Sequence, residues 1–224
     1  MQSSEIIQNI KQIYDDYSIP ANLRRHMIWV ANVAELLCDN CKEKVNKEDI
    51  IAACLIHDLA NLIKMNFELH TGVDLLDKED QEKLDFYKQR QDKMKLKFGL
   101  NAEHANPIIA KELGASERVI ELVSHKPFEI CGDKLLSNDV EEVIAAYADL
   151  RVEPKGIVSM KERMEDFDKR YNTHLHKEKI EFSTKFKPLA EKMEKELFEK
   201  IKIKPEEITS KTTKKYFEKY KEAI

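Results

Sequence analysis

Glycine and proline are scarce, at 5 and 6 in 224 residues. Hairpins and sandwiches need those residues at most of their turns, so a fold built from sheets is disfavoured. Lys, Glu, Leu, Ile and Ala dominate instead, and these favour helices. The composition predicts an all-α protein. No apolar run approaches the roughly 18 residues of a membrane span, and the opening MQSSEIIQNIKQIYDD has no basic flank followed by an apolar stretch. A soluble, cytoplasmic protein is expected. An excess of cations is also missing: 38 Lys plus Arg face 42 Asp plus Glu, for a net charge of −4. That leaves no broad basic surface for bulk nucleic-acid binding. Cysteine is limited to Cys38, Cys41, Cys54 and Cys131. A helical chain of this size has no need of disulfide staples, and the four fit a reducing compartment. Cys38 and Cys41 form a C-x-x-C, but it lacks the second pair of a zinc ribbon and the βαβ setting of a redox motif.

What is present is helical periodicity. A first clear helix is read over 20–37, with His26, Val30, Val33 and Leu37 on one stripe, so the imidazole of His26 is expected to face inward. A second opens near Asn46, with Asp49 three residues on in a capping arrangement, and continues as IIAACLIHDLANLIKM. It is apolar nearly all round and reads as the middle of a bundle. Residues 77–97 are dense in charge and read as a solvent-facing helical insertion ended by Gly99, with 66–99 as the cover of a cleft. Further helices are read from Pro107 to Leu113, from Ser116 to Pro127, and from Asn138, with Glu141 three residues on, to about Val152. Beyond Pro154 the chain becomes charged helical segments around 158–171 and 188–201 and a short piece after Pro205. The division expected is 1–152 as the core domain and 153–224 as a helical extension packed on it, its charge runs forming solvated faces.

The chemistry is expected where polar groups interrupt the core. His57 and Asp58 sit together in the most apolar helix, where an ionised carboxylate costs several kcal/mol unless a partner or a metal compensates it. His26, His57 with Asp58, His104, His125 and Asp149 follow in order, each in or beside a core helix. Imidazole nitrogens and carboxylate oxygens are donors for divalent Mn, Fe, Co, Mg, Zn or Ni, and the set suffices for one or two ions. Plainer readings exist for each residue. A lone core histidine is often bonded to a carbonyl, Asp58 can be a buried ion pair, and Asp149 can pair with Arg151 or Lys155. His104 and His125 can be imidazoles at helix ends. Asn61 and Lys64 follow His57 by four and seven residues and share its ridge, so Lys64 is a candidate phosphate contact or an exposed lysine. Arg24, Arg25 and Arg151 are candidate donors to phosphate oxygens or surface ion-pair partners.

The ordered pattern, His26 in LRRHMIWVANVAELL, His57 and Asp58 in AACLIHDLANLIK, and Asp149 in AAYADLRV, resembles the HD domain superfamily of metal-dependent phosphohydrolases over residues 20–152. The resemblance implies an HD-domain helical bundle with a charged C-terminal helical extension. It implies that His26, His57, Asp58 and Asp149 hold one ion, and that His104 in NAEHANP, His125 in VSHKPF and a bridging Asp58 hold a second. It also implies hydrolysis of a phosphoester in a nucleotide or small phosphorylated metabolite by a metal-activated water; Asp58 and, from its place on the ridge of His57, Lys64 are the expected catalytic groups. Two alternatives accompany it: a di-iron oxygenase of the same fold, and a non-catalytic metal or nucleotide sensor read out through the tail. Oligomeric state stays open, with the amphipathic tail as a possible subunit contact.

Overall fold

The computed structural model describes residues 2–68, 73–124, 138–171 and 177–224. Two short helices, α1 (Ser3–Gln8) and α2 (Ile10–Asp16), lead into the long α3 (Ala21–Asn40), and α4 (Lys47–Ile56) follows it. After a 3-10 turn at Asn61–Lys64 come α5 (Lys78–Gln81), α6 (Leu84–Phe98), α7 (Ala102–Glu112), α8 (Glu117–Ser124) and α9 (Val140–Leu150). A two-residue antiparallel pair, β1 (Val152–Glu153) with β2 (Gly156–Ile157), precedes α10 (Met160–Tyr171), α11 (Lys177–Lys200) and α12 (Ser210–Phe217). Helices therefore build the core, as the composition predicts. Among the described residues no helix is long and apolar enough to cross a membrane.

Helix α4 is central. Every residue from Asp49 to Ile56 is buried, and α1, α3, α8 and α9 pack around it, which is why its sequence is apolar on all sides. Its start is fixed by Asn46, whose side chain accepts the Asp49 N–H and donates to the Asp49 carboxylate at 2.7 Å. That carboxylate is buried and also accepts from the hydroxyls of Ser3 on α1 and of Ser116, the residue before α8. One side chain thus ties three elements.

Several boundaries differ from the sequence reading. Helix α4 stops at Ile56, so His57 and Asp58 stand at its C-terminal end and not inside a longer helix. Helix α7 begins at Ala102, because Asn101 caps it by accepting from the N–H groups of Glu103 and His104, and Pro107 lies inside it. Asp139, not Asn138, caps α9. Helix α11 starts ahead of Pro188 and carries that residue within it. The β1–β2 hairpin was not anticipated; Gly156 turns it with a φ of 133°, a conformation favouring glycine.

The insertion is fastened at both ends. Asp80, buried, accepts the Ala21 N–H at 2.8 Å and the Tyr87 hydroxyl at 2.7 Å, so it caps the first turn of α3. Gln91, also buried, donates to the carbonyls of Leu62 and Met65, each at 2.7 Å. The C-terminal helices join the same core. Phe186, Ala190, Met193, Leu197 and Ile201 form a buried stripe at helical spacing on α11 and its end. The backbone of Lys200 and Lys202 pairs with Lys42 and Asn40 at 2.9 Å. Helix α12 lies on α3, where Tyr216 donates to Asp39, and Lys219 beyond it reaches the buried Glu35.

Removing the Asp49 carboxylate leaves two hydroxyls and an amide of three elements without their acceptor. Asp49→Ala is expected to cost on the order of 2 kcal/mol, read as a lower urea midpoint at unchanged slope.

Candidate metal centre

Three helices deliver four side chains to one point. His26 comes from α3, His57 and Asp58 from the end of α4, and Asp149 from the last turn of α9. The end of α4 is made by competition for its last carbonyls. The Leu55 carbonyl accepts the Tyr14 hydroxyl at 2.8 Å, and the Cys54 carbonyl bonds His57 Nδ1 at 2.8 Å. The Ile56 carbonyl takes the N–H of Leu59, only three residues on, and the Ala60 N–H turns away to the Asn106 side chain at 2.7 Å. The chain thereby leaves the α-helical path directly after the His-Asp pair.

The Cys54 contact also sets the imidazole. A carbonyl only accepts, so Nδ1 of His57 carries a proton and Nε2 is the ring nitrogen turned to the site, the one left to bind an ion. His57 Nε2 lies 3.6 Å from Asp58 Oδ2 and 3.5 Å from Asp149 Oδ1. His26 Nε2 lies 3.7 Å and 3.1 Å from the same two oxygens. The four side chains are only 11–17% exposed, so water screens them weakly. Burial would raise the Asp149 carboxyl, but hydrogen bonding and charge from His26 and His57 outweigh it and hold its pKa well below the usual carboxylate range.

Donor atoms bound to one ion at about 2.1 Å stand about 3.0–3.4 Å apart in tetrahedral or octahedral geometry. The four nitrogen–oxygen separations, 3.1–3.7 Å, lie at or just above that spacing. Two imidazole nitrogens and carboxylate oxygens form a borderline-to-hard donor set, suited to a divalent ion. His26, His57 and Asp58 bring a donor atom each within 4.8 Å of one another, and no other such group of three occurs among the described residues. The site fits one divalent ion.

The other residues singled out by sequence are distributed differently. His104 is exposed: the buried stripe of α7 is Ala102, Ala105, Asn106, Ile109 and Ala110, and position 104 points away from it. The structure does not bring it to the other donors. His125 lies outside the described residues, as do His70, His174, His176 and Cys131. Lys64 stands beside the centre, half exposed, with Nζ 2.9 Å from Glu103 Oε1 on α7. Burial works against its ammonium, yet the charges of Asp58, Glu103 and Asp149 outweigh it and push its pKa up. Asn61 donates its backbone N–H to the Asp58 carbonyl at 3.0 Å and is half buried.

The arginines are engaged elsewhere. Arg24 bonds the Ile19 carbonyl and Asp15 at 2.7 Å each. Arg25 forms a two-pronged pair with Asp77 at 2.6 Å, joining α3 to the insertion. Arg151 is 2% exposed, with all three guanidinium nitrogens bonded to protein oxygens. A donor to substrate phosphate was expected there; the side chain is instead sealed in the core. Cys38, Cys41 and Cys54 are free thiols, and burial pushes Cys38 up to about 12, which leaves it inert as a nucleophile. Tyr14, Asn106 and Glu103 were not anticipated. Asn106 left a trace in the sequence, as a lone amide on the apolar stripe of α7; Tyr14 and Glu103 left none.

A metal titration checks the centre. With Mn2+ the protein is expected to bind about one ion per chain through these donors. His57→Ala and Asp149→Ala each lose that binding, while His104→Ala retains it.

Searches of curated proteins and of solved structures give no match. The family model described as HD domain matches residues 23–151, more than half of the chain and the whole span from His26 to Asp149. The match and the His26, His57 and Asp58 triad meet on the same residues, and the chain belongs to the HD domain family.

Proposed function

We propose that the protein is a metal-dependent phosphohydrolase, a phosphatase or phosphodiesterase, acting on a nucleotide or another small phosphorylated metabolite. The observation that carries this reading is the convergence of four donors beside a lysine. His26, His57, Asp58 and Asp149 would hold the ion, and Lys64, half exposed, stands at its edge with its ammonium on Glu103. A bound divalent ion supplies a water nucleophile near neutral pH and compensates charge on phosphoryl oxygens.

The remaining work falls to the side chains. His57, with a proton held on Nδ1 by the Cys54 carbonyl, turns Nε2 toward the ion. Asp58 accepts the proton of the attacking water at a carboxylate oxygen. Lys64, kept charged by Asp58, Glu103 and Asp149, binds anionic oxygens of the substrate, which replace Glu103 as its partner. Residues 1–152 carry these groups and 153–224 brace them. We assign one ion, since His104 faces solvent. Free thiols at Cys38, Cys41 and Cys54 accord with a place in the cytoplasm.

A panel of nucleotides and phosphoesters, tested with Mn, Co, Mg or Fe, is expected to show phosphate release that Asp58→Ala abolishes in a folded protein. Oxygen consumption by the iron-loaded protein, with no phosphate released across the panel, would replace this reading with the oxygenase. On the substrate found, Lys64→Met is expected to raise KM roughly 10-fold or more, the scale of one lost charge-assisted hydrogen bond, with Mn2+ affinity not weakened.

A further inference from the structure

Asp149 occupies a precarious place for a ligand. It lies in the last turn of α9, one residue before the helix ends, where carbonyls lack helical partners and chains fray. Its Oδ1 must nevertheless stay within 3.1 and 3.5 Å of two imidazoles. The residues two places either side, Tyr147 and Arg151, are four apart and share the opposite face of the helix. Both are buried, and both are gripped by the C-terminal segments.

Arg151 donates through Nε to the Val158 carbonyl, through Nη1 to the Tyr147 hydroxyl at 2.6 Å and the Pro205 carbonyl at 3.2 Å, and through Nη2 to the carbonyls of Pro205 and Ile208 at 3.3 and 3.2 Å. The Val158 N–H returns a bond to the Arg151 carbonyl at 2.8 Å. The Tyr147 hydroxyl in turn donates to the Glu194 carboxylate of α11 at 2.6 Å. Among the described residues no carboxylate lies within ion-pairing distance of Arg151, so this buried cation is satisfied by carbonyls, a hydroxyl and the negative end of its own helix. Pro205 and Ile208 supply acceptors that nothing nearer in sequence provides. With the extension displaced, the guanidinium would seek water and draw the last turn of α9 with it.

We propose that Arg151 is a positioning residue for Asp149, and that docking of residues 194–208 and binding of the metal are one linked equilibrium. Linkage is reciprocal: if the docked extension strengthens metal binding, bound metal holds the extension down by the same factor. The inference rests on the four-donor centre and is independent of the reaction performed there, so a failure to find phosphatase activity leaves it standing.

The test uses the full chain, Mn2+ as the probe, and two readouts other than activity. Wild type, Arg151→Met and Tyr147→Phe are titrated with Mn2+ by calorimetry, and amide exchange at Val158 and Ile208 is followed with and without Mn2+. Tyr147→Phe removes a single hydroxyl and keeps the experiment decisive where Arg151→Met does not fold. Expected are slower exchange at both amides in the Mn2+-loaded wild type, and Mn2+ affinity weakened about 10-fold in Arg151→Met and several-fold in Tyr147→Phe. A role in stability alone would lower the melting temperature of the variants and leave the affinity of the folded protein unchanged. Affinities within twofold of wild type, or exchange in the wild type that ignores Mn2+, overturn the proposal. A wild type that binds no Mn2+ overturns the centre and the proposal together.

Discussion

Two carboxylates, Asp58 and Asp149, approach the same two imidazole nitrogens from different helices in a pocket where the side chains are at most 17% exposed. Two carboxylates set on the same poorly solvated pair of imidazoles repel each other, and imidazoles that give lone pairs to an ion add no charge to cancel theirs. A divalent cation does, and it also finds its donors already spaced to receive it. Much of the surrounding architecture serves to keep these four groups in place without that cation. The hydroxyl of Tyr14 and the amide of Asn106 end α4 where the His-Asp pair must leave the helix. The Cys54 carbonyl orients His57, Asp80 caps the helix of His26, and Arg151 anchors the helix of Asp149.

These supports come from distant parts of the chain. Tyr14 lies 41 residues from Leu55, Asn106 46 residues from Ala60, and Ile208 57 residues from Arg151. The centre is therefore not a property of the His-Asp helix alone. It belongs to a frame in which the N-terminal helices, the insertion and the C-terminal extension each brace one ligand-bearing element. That distribution explains why so charged an extension nonetheless carries a continuous buried stripe from Phe186 to Ile201. One face solvates its lysines and glutamates while the other completes the core.

The sequence revealed what local periodicity and misplaced polarity can reveal. His26 stood out as an imidazole on an apolar stripe, His57 and Asp58 as polar residues in the most apolar run, and Asp149 by its place at the end of another core helix; all four meet. Where the reading failed, the deciding contact was remote or a local signal was ranked wrongly. Nothing near Ile56 announces that the helix stops there, since its carbonyls are claimed by side chains far away in sequence. His104 was singled out by the resemblance, beside a helix read from Pro107; Asn101 caps that helix earlier and sets a register that turns position 104 outward. Arg151 looked like a phosphate ligand because charge on a residue beside a metal ligand suggests substrate; its carbonyl partners lie on segments that the sequence alone did not place.

The central claim is that these four side chains bind one metal ion together. Crystals grown with Mn2+ and measured for anomalous scattering test it most directly. The account predicts an anomalous peak about 2.0–2.3 Å from His26 Nε2, His57 Nε2 and carboxylate oxygens of Asp58 and Asp149. No peak at that point under saturating Mn2+, or a peak at His104 in its place, would contradict it.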